Sequence, residues 1–220
     1  MGWMNLLAHA WVAVATGHDQ PEAVLGALLP DLATMARVRL DRAGLAAASP
    51  GDPLATGVRC HVATDAVFHR DARFLAGSSA IRRDLREAGV QVGAARAVGH
   101  VGWELLLDGT LLRTPADAAF QDALVLVDHA TAVVAPGDRA RWGAFLDAWG
   151  RGRTRPHRLR YDDPAWVADR LVAILAPRPR LALPADRVPA VRATLERHVA
   201  GVAAAGASVL ADTAAGVAAA

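Results

Sequence analysis

An all-α protein, a single-domain multi-helix bundle over residues 1–220, is what this sequence predicts. Three observations carry that expectation. Apolar residues recur at helical spacing, and no region alternates with a period of two for long. Proline stands at several helix openings, where its fixed φ and missing N–H are tolerated. Hydrophobic residues make up 53% of the chain and charged residues 21%, a composition that folds rather than staying disordered. The expected count is about eight to ten helices.

In chain order, residues 4–16 read as the first helix, with Asn5, His9 and Thr16 its only polar side chains. A signal peptide is not expected here, because a basic leader is missing and His9 interrupts the apolar run. Pro21 opens a second helix running to Leu28 or Leu29. Pro30 is expected to break or kink it, with Asp31 following and a separate helix over 32–40. Residues 43–51 read as a loop. Asp52 and Pro53 start a helix reaching Arg70. Ser78 or Ser79 is expected to cap a short helix to Ala88, closed by Gly89. The central helix covers 94–113. Pro115 starts a helix over 116–134, Asp138 one reaching Trp149, and Pro164 one ending near Ala176. A last helix starts near Asp186, and its Ala-rich end beyond Gly201 has no evident role. The sequence shows no internal repeat.

Composition excludes several classes. All 24 basic residues are arginine and the net charge is only +2, so no nucleic-acid partner is expected. The single cysteine, Cys60, rules out an intramolecular disulfide and a thiolate metal cluster. It fits a reducing compartment, and a cytoplasmic location is the expectation. No uncharged run of about 18 apolar residues is bounded like a membrane span, so no membrane partner is expected. The Arg151–Arg160 segment, RGRTRPHRLR, carries five arginines whose forks match phosphate or acidic groups.

The chemistry lies in polar residues four apart on apolar helix faces. They are Asn5/His9, His61/Asp65/His69 and His100/Glu104/Asp108, with Asp31 a further member. Steps of four keep side chains on one narrow helical stripe. A buried charge is costly unless it pairs or binds a metal. Bundles build metal sites from inward-pointing carboxylates and histidines, and such ligands suit Mn, Fe or Zn. The simpler readings are core histidines bonded to neighbours, an intrahelical His100–Glu104 pair and a capping Asp31. His18-Asp19 is an adjacent His-Asp doublet, but it stands where a loop before a helix start is expected. Cys60 lies about 100° from His61 on the helix, so the two do not form a nucleophile pair.

These segments together resemble one family. Met4-Asn5-Leu6-Leu7-Ala8-His9 resembles the MNFLAH start of acyl carrier protein phosphodiesterases. Leu25 to Asp31 resembles their LLGNLLGD segment. Gly57 to His61 with Asp65 resembles their GIxxHRxID, and His100 to Asp108 falls where they have a DVxxDHFLA helix. The match covers roughly residues 4–110. After the His-x3-Asp, this chain has His69 and Asp71 in exchanged order. It has His100 and Glu104-Leu105 where the family has Asp and Asp-His.

The resemblance implies a helical, HD-phosphohydrolase-like fold and metal-dependent hydrolysis of a phosphodiester, with manganese as the typical metal and an acidic carrier protein or a phosphorylated small molecule as partner. Asp31, His61 and Asp65 carry over directly, and Asn5 and His9 as the start of the pattern. On this reading Asp31, His61, Asp65, His100 and Glu104 are the expected metal ligands. His9, Asp31 and His69 are the expected catalytic groups, and Asn5 and Asp108 contact substrate. The alternative is a non-catalytic helical binding module that keeps the His/Asp/Glu set as a hydrogen-bond network.

Overall fold

In the computed structural model, ten α-helices and three short 3-10 helices follow one another among the described residues. The structure describes residues 5–153 and 159–220, and the side chains of 149–153 are not among those described. Among the described residues there is no β-strand, only an isolated antiparallel bridge between Leu40 and Val134. The all-helical, multi-helix expectation therefore holds.

The helices are α1 (Leu6–Ala15), α2 (Pro21–Ala36), α3 (Arg42–Ala47), α4 (Pro53–Phe68), α5 (Ala72–Glu87), α6 (Val92–Leu111), α7 (Pro115–Val125), α8 (Arg139–Arg153), α9 (Pro164–Leu175) and α10 (Val188–Ala218). Several boundaries differ from expectation. Pro30 does not end α2, which runs through it to Ala36. A proline removes one intrahelical bond, and packing on both flanks holds the remaining turns. The helix stops instead at Arg37, which takes a left-handed conformation at φ 56°. The segment expected to be a loop contains α3, started by Asp41, whose side chain accepts from Gly44 N. Ser78 and Ser79 lie inside α5. Its cap is Asp71, which accepts from the backbone N–H groups of Arg73 and Phe74. The helix expected over 116–134 ends at Val125 and gives way to a 3-10 segment, Val127–Val133. The loop expected at Arg151–Arg160 begins inside α8, which reaches Arg153. Residues 154–158, including His157, lie outside the described residues, as does Met4.

The chain divides into two compact units. The first comprises residues 1–66, 113–159 and 214–220, and the second 67–112 and 160–213. In the first, α1 packs on α2 and α7, and α2 also packs on α7 and α8. Leu7, Leu25, Leu28, Leu29, Leu32, Phe120 and Trp142 fill its core. Here α2 and α4 approach backbone to backbone. A Cβ on Gly26 would strike the Leu54 carbonyl, and one on Gly57 would strike the Ala23 carbonyl.

In the second unit, α5 lies along α6, and α6 packs on α9. Gly99 faces the Ser78 carbonyl with no room for a Cβ. Phe68, Phe74 and Trp103 form an aromatic cluster with centroids 4.7–5.9 Å apart. The helix spanning Ala185–Ala218 is long and apolar enough to cross a membrane by length and composition, with 33% of its apolar window buried. Core helices pass the same test. Its part up to Thr213 is tied to the second unit by Arg192–Asp169, His198–Asp84 and Asp212–Arg73 pairs.

The Asp71 cap yields a first prediction. The side-chain hydrogen bond from Arg73, assisted by the Arg73 and Phe74 N–H groups, holds the Asp71 carboxyl below its ordinary pKa against the opposing effect of burial. Its contribution is therefore present above the unfolded-state value of about 3.9 and fades as pH falls through the depressed native value. Asp71→Ala is expected to lower stability by about 1 kcal/mol at neutral pH in urea unfolding. The gap should close in acid. An equal gap at all pH values would reject the capping carboxylate.

Candidate functional site

The first unit brings together His9 from α1, Asp31 from α2, and His61 and Asp65 from α4. His9, Asp31 and His61 are buried, while the Asp65 side chain is 30% exposed. His9 Nε2 lies 3.4 Å from Asp65 Oδ1 and 3.9 Å from Asp31 Oδ2. His61 Nε2 lies 3.5 Å from Asp65 Oδ2. The two imidazoles stack with centroids 3.9 Å apart and planes 18° from parallel.

Local structure explains this convergence. Without side chains at Gly26 and Gly57, α4 comes close enough for His61 to reach the α2 backbone. His61 Nδ1 lies 2.8 Å from the Ala27 carbonyl oxygen. A carbonyl only accepts, so Nδ1 carries the proton and Nε2 is the atom turned toward Asp65. The Gly26 carbonyl beside it is the one whose intrahelical donor Pro30 removes. Fixing one imidazole nitrogen through a backbone carbonyl is how metal-ligating histidines are oriented.

Electrostatics follow from burial and the two carboxylates. Burial lowers the His9 pKa, and the neighbouring His61 charge lowers it further, outweighing Asp65 and Asp31. Burial also opposes charge on His61, but the Asp65 hydrogen bond and the Asp31 and Asp65 charges overcome it and raise its pKa. Burial would raise the Asp65 pKa, yet its bonds to His61 and His9 drive it well below the carboxylate range.

The second unit holds another triad, from His69 just past α4 and His100 and Glu104 on α6. His69 Nε2 and His100 Nε2 each lie 3.1 Å from the same oxygen, Glu104 Oε1. Glu104 is buried, whereas the side chains of His69 and His100 are 28% and 33% exposed. Phe74 packs against both imidazoles, at 5.5 Å and 5.1 Å between centroids.

In each triad one ligand atom per residue lies within 4.8 Å of the others, so each can hold a metal ion. Two imidazoles and one carboxylate, with further positions open, are the donor set of catalytic zinc and of non-haem iron sites. The buried Glu104 Oε2, on the carboxylate that both imidazoles of the second triad face, has no hydrogen-bond partner among the described residues. The residues present therefore fit a divalent cation.

The residues singled out from the sequence are thus distributed. The expected ligands His61 and Asp65 stand together, with Asp31 beside His9. His100 and Glu104 stand with His69. His9 and His69, expected to act on substrate, complete the two triads. Asn5 is buried one turn before His9, and its carbonyl accepts from His9 N. Asp108 is fully buried, and its charge adds to burial in raising the Tyr161 pKa. His18 and Asp19 lie in the turn before α2, with Asp19 exposed, and Asp128 and His129 are exposed. Sequence reasoning missed the Ala27 carbonyl, which as backbone leaves no sequence signal, and Phe74. It also missed the Gly26–Gly57 contact, for which mid-helix glycines were the available sign.

Fold and geometry together define a helical protein with, among the described residues, two His-His-carboxylate clusters that could each hold a metal ion. No family model, no curated protein and no solved structure matches the chain.

Proposed function

We propose that this protein is a metal-dependent phosphoric ester hydrolase, related to the acyl carrier protein phosphodiesterases and through them to the HD-type phosphohydrolases. One observation carries the reading. Three of the four segments that carry the resemblance, ending in His9, Asp31 and Asp65, supply side chains that converge in the first unit. His9, His61 and Asp65 would hold the ion, with Asp31 beside them. Manganese is the ion the resemblance suggests, and iron and zinc also suit the donors. A bound divalent cation supplies Lewis-acid stabilisation of charge building on a phosphoryl group.

The protein's own groups do the remainder. The Ala27 carbonyl holds the His61 ring and its tautomer. Asp65 stays ionised and faces both imidazoles. Asp31 adds a carboxylate 3.9 Å from His9 Nε2, whose charge acts on that ring. His9, with its pKa lowered by burial, is neutral near pH 7 and so keeps the lone pair that a cation needs. A phosphorylated small molecule or an acidic carrier protein is the substrate class, and a cytoplasmic setting fits one unpaired cysteine.

A second reading has its own support. His9–Asp65, His61–Asp65, His69–Glu104 and His100–Glu104 are already charge-compatible pairs, as a binding module with a structural polar network would have. One experiment separates the two. The full chain, loaded in turn with Mn, Zn and Fe(II), is assayed on bis(4-nitrophenyl) phosphate and on phosphopantetheinylated carrier protein. Metal-dependent hydrolysis that Asp65→Ala abolishes is expected. A metal-loaded protein that cleaves neither ester would overturn the hydrolase reading in favour of the binding module.

A further inference from the structure

We propose that His69, His100 and Glu104 form a divalent-cation site of their own in the second unit, selective for a borderline ion such as zinc over magnesium or calcium. This inference rests on the triad's geometry, not on the hydrolase reading.

Three features point to a ligand. First, both Nε2 atoms converge on one oxygen, Glu104 Oε1, at 3.1 Å each. As a hydrogen-bonded triad this loads two donors onto one atom, while Glu104 Oε2 stays buried without a partner among the described residues. A buried unpartnered carboxylate oxygen is costly. A cation held by the two nitrogens and the carboxylate would offset that cost.

Second, the donors are held in place beforehand. Phe74 packs against both imidazoles and is itself buried against Phe68 and Trp103. The Asp71 cap accepts from the Phe74 N–H and so sets the register of α5 at that ring. Ordered ligands lose little freedom on binding.

Third, the site is reachable. His69 and His100 are partly exposed, and only the carboxylate is fully buried. Two imidazole nitrogens with one carboxylate suit zinc, iron and neighbouring ions. Magnesium and calcium demand oxygen ligands and keep several waters.

The test uses the full chain and zinc. His61→Ala with Asp65→Ala removes two ligands of the first triad, and this double variant is expected to retain about one equivalent of zinc after dialysis. Adding His100→Ala and Glu104→Gln should abolish it, and excess magnesium should not displace it. A folded His61→Ala/Asp65→Ala variant that binds no zinc overturns the site. The unaltered chain gives a second, independent measurement that needs no variant to fold. Zinc should move the Nε2 nitrogen resonances of His69 and His100 to the metal-ligated range. Resonances that stay in place with zinc bound would also overturn the proposal, because a merely structural triad leaves them so.

Discussion

Gly57→Ala is expected to destabilise the protein by about 3 kcal/mol, the upper part of the range for overpacking a filled site. In a chain of this length that corresponds to a fall in Tm of roughly 6–12 °C. The added methyl meets the Ala23 carbonyl and the Gly26 Cα, which are backbone atoms of α2 and cannot swing aside as a flexible side chain would. Relief requires α2 and α4 to separate.

That separation has a chemical consequence. His61 Nδ1 would leave the Ala27 carbonyl that fixes its tautomer. Zinc affinity at the first triad should therefore drop by about 10–100-fold although no ligand is touched. Gly201→Ala is the matching control, since nothing lies within 4 Å of the new Cβ on α10. There alanine's better helix propensity should stabilise by up to about 1 kcal/mol. Thermal unfolding of both variants decides the matter. Equal, small shifts would mean that the glycine contact does not hold α2 against α4.

The second large effect is metal binding at the first triad and its pH dependence. At a free ion concentration 100-fold above Kd, zinc should stabilise the fold by about 2.7 kcal/mol, roughly 5–10 °C in Tm for a chain of this size. A cation needs the unprotonated imidazole, so protons compete with it. The His61 pKa is raised in the metal-free protein because Asp65 and Asp31 outweigh the effect of burial. Affinity should therefore begin to fall on acidification above the ordinary histidine value of about 6.5, and level off at higher pH.

Asp65 stays ionised through that window, because its bonds to His61 and His9 overcome burial and hold its pKa far down. His9, with a lowered pKa, loses its lone pair only at still lower pH. His61→Ala should cost more than the about 100-fold typical of losing an orienting partner, and should flatten the pH profile near neutrality. Titration calorimetry across pH measures both. An affinity independent of pH from 6 to 8 (roughly the histidine range) would exclude His61 as a ligand.

Much of this was legible beforehand, for identifiable reasons. The helical class follows from apolar spacing, which is local, and helices at Pro21, Pro53, Pro115 and Pro164 start where proline is tolerated. The i, i+4 lines of His61/Asp65 and His100/Glu104 are also local, so both ion pairs could be anticipated from spacing alone. Boundaries fared worse where packing or capping overrode propensity. Pro30 sits inside α2, and α5 starts at Asp71 rather than at a serine seven residues on. One set of ligands was expected, and two triads are found, because which histidine meets which carboxylate depends on contacts far apart in sequence. His9 meets Asp65 across 56 residues and His69 meets Glu104 across 35.

By itself, the sequence determined that the chain is helical and which residue types can do chemistry, since both depend on side-chain identity and on spacings of three and four. Only the tertiary structure decided how those residues group. It did so through backbone approach at Gly26 and Gly57, where missing side chains bring α4 within reach of the Ala27 carbonyl, and through Phe74, which packs against two imidazoles that turn to one buried glutamate. A carbonyl has no letter in the sequence, and a short distance between helices is a property of the packed chain.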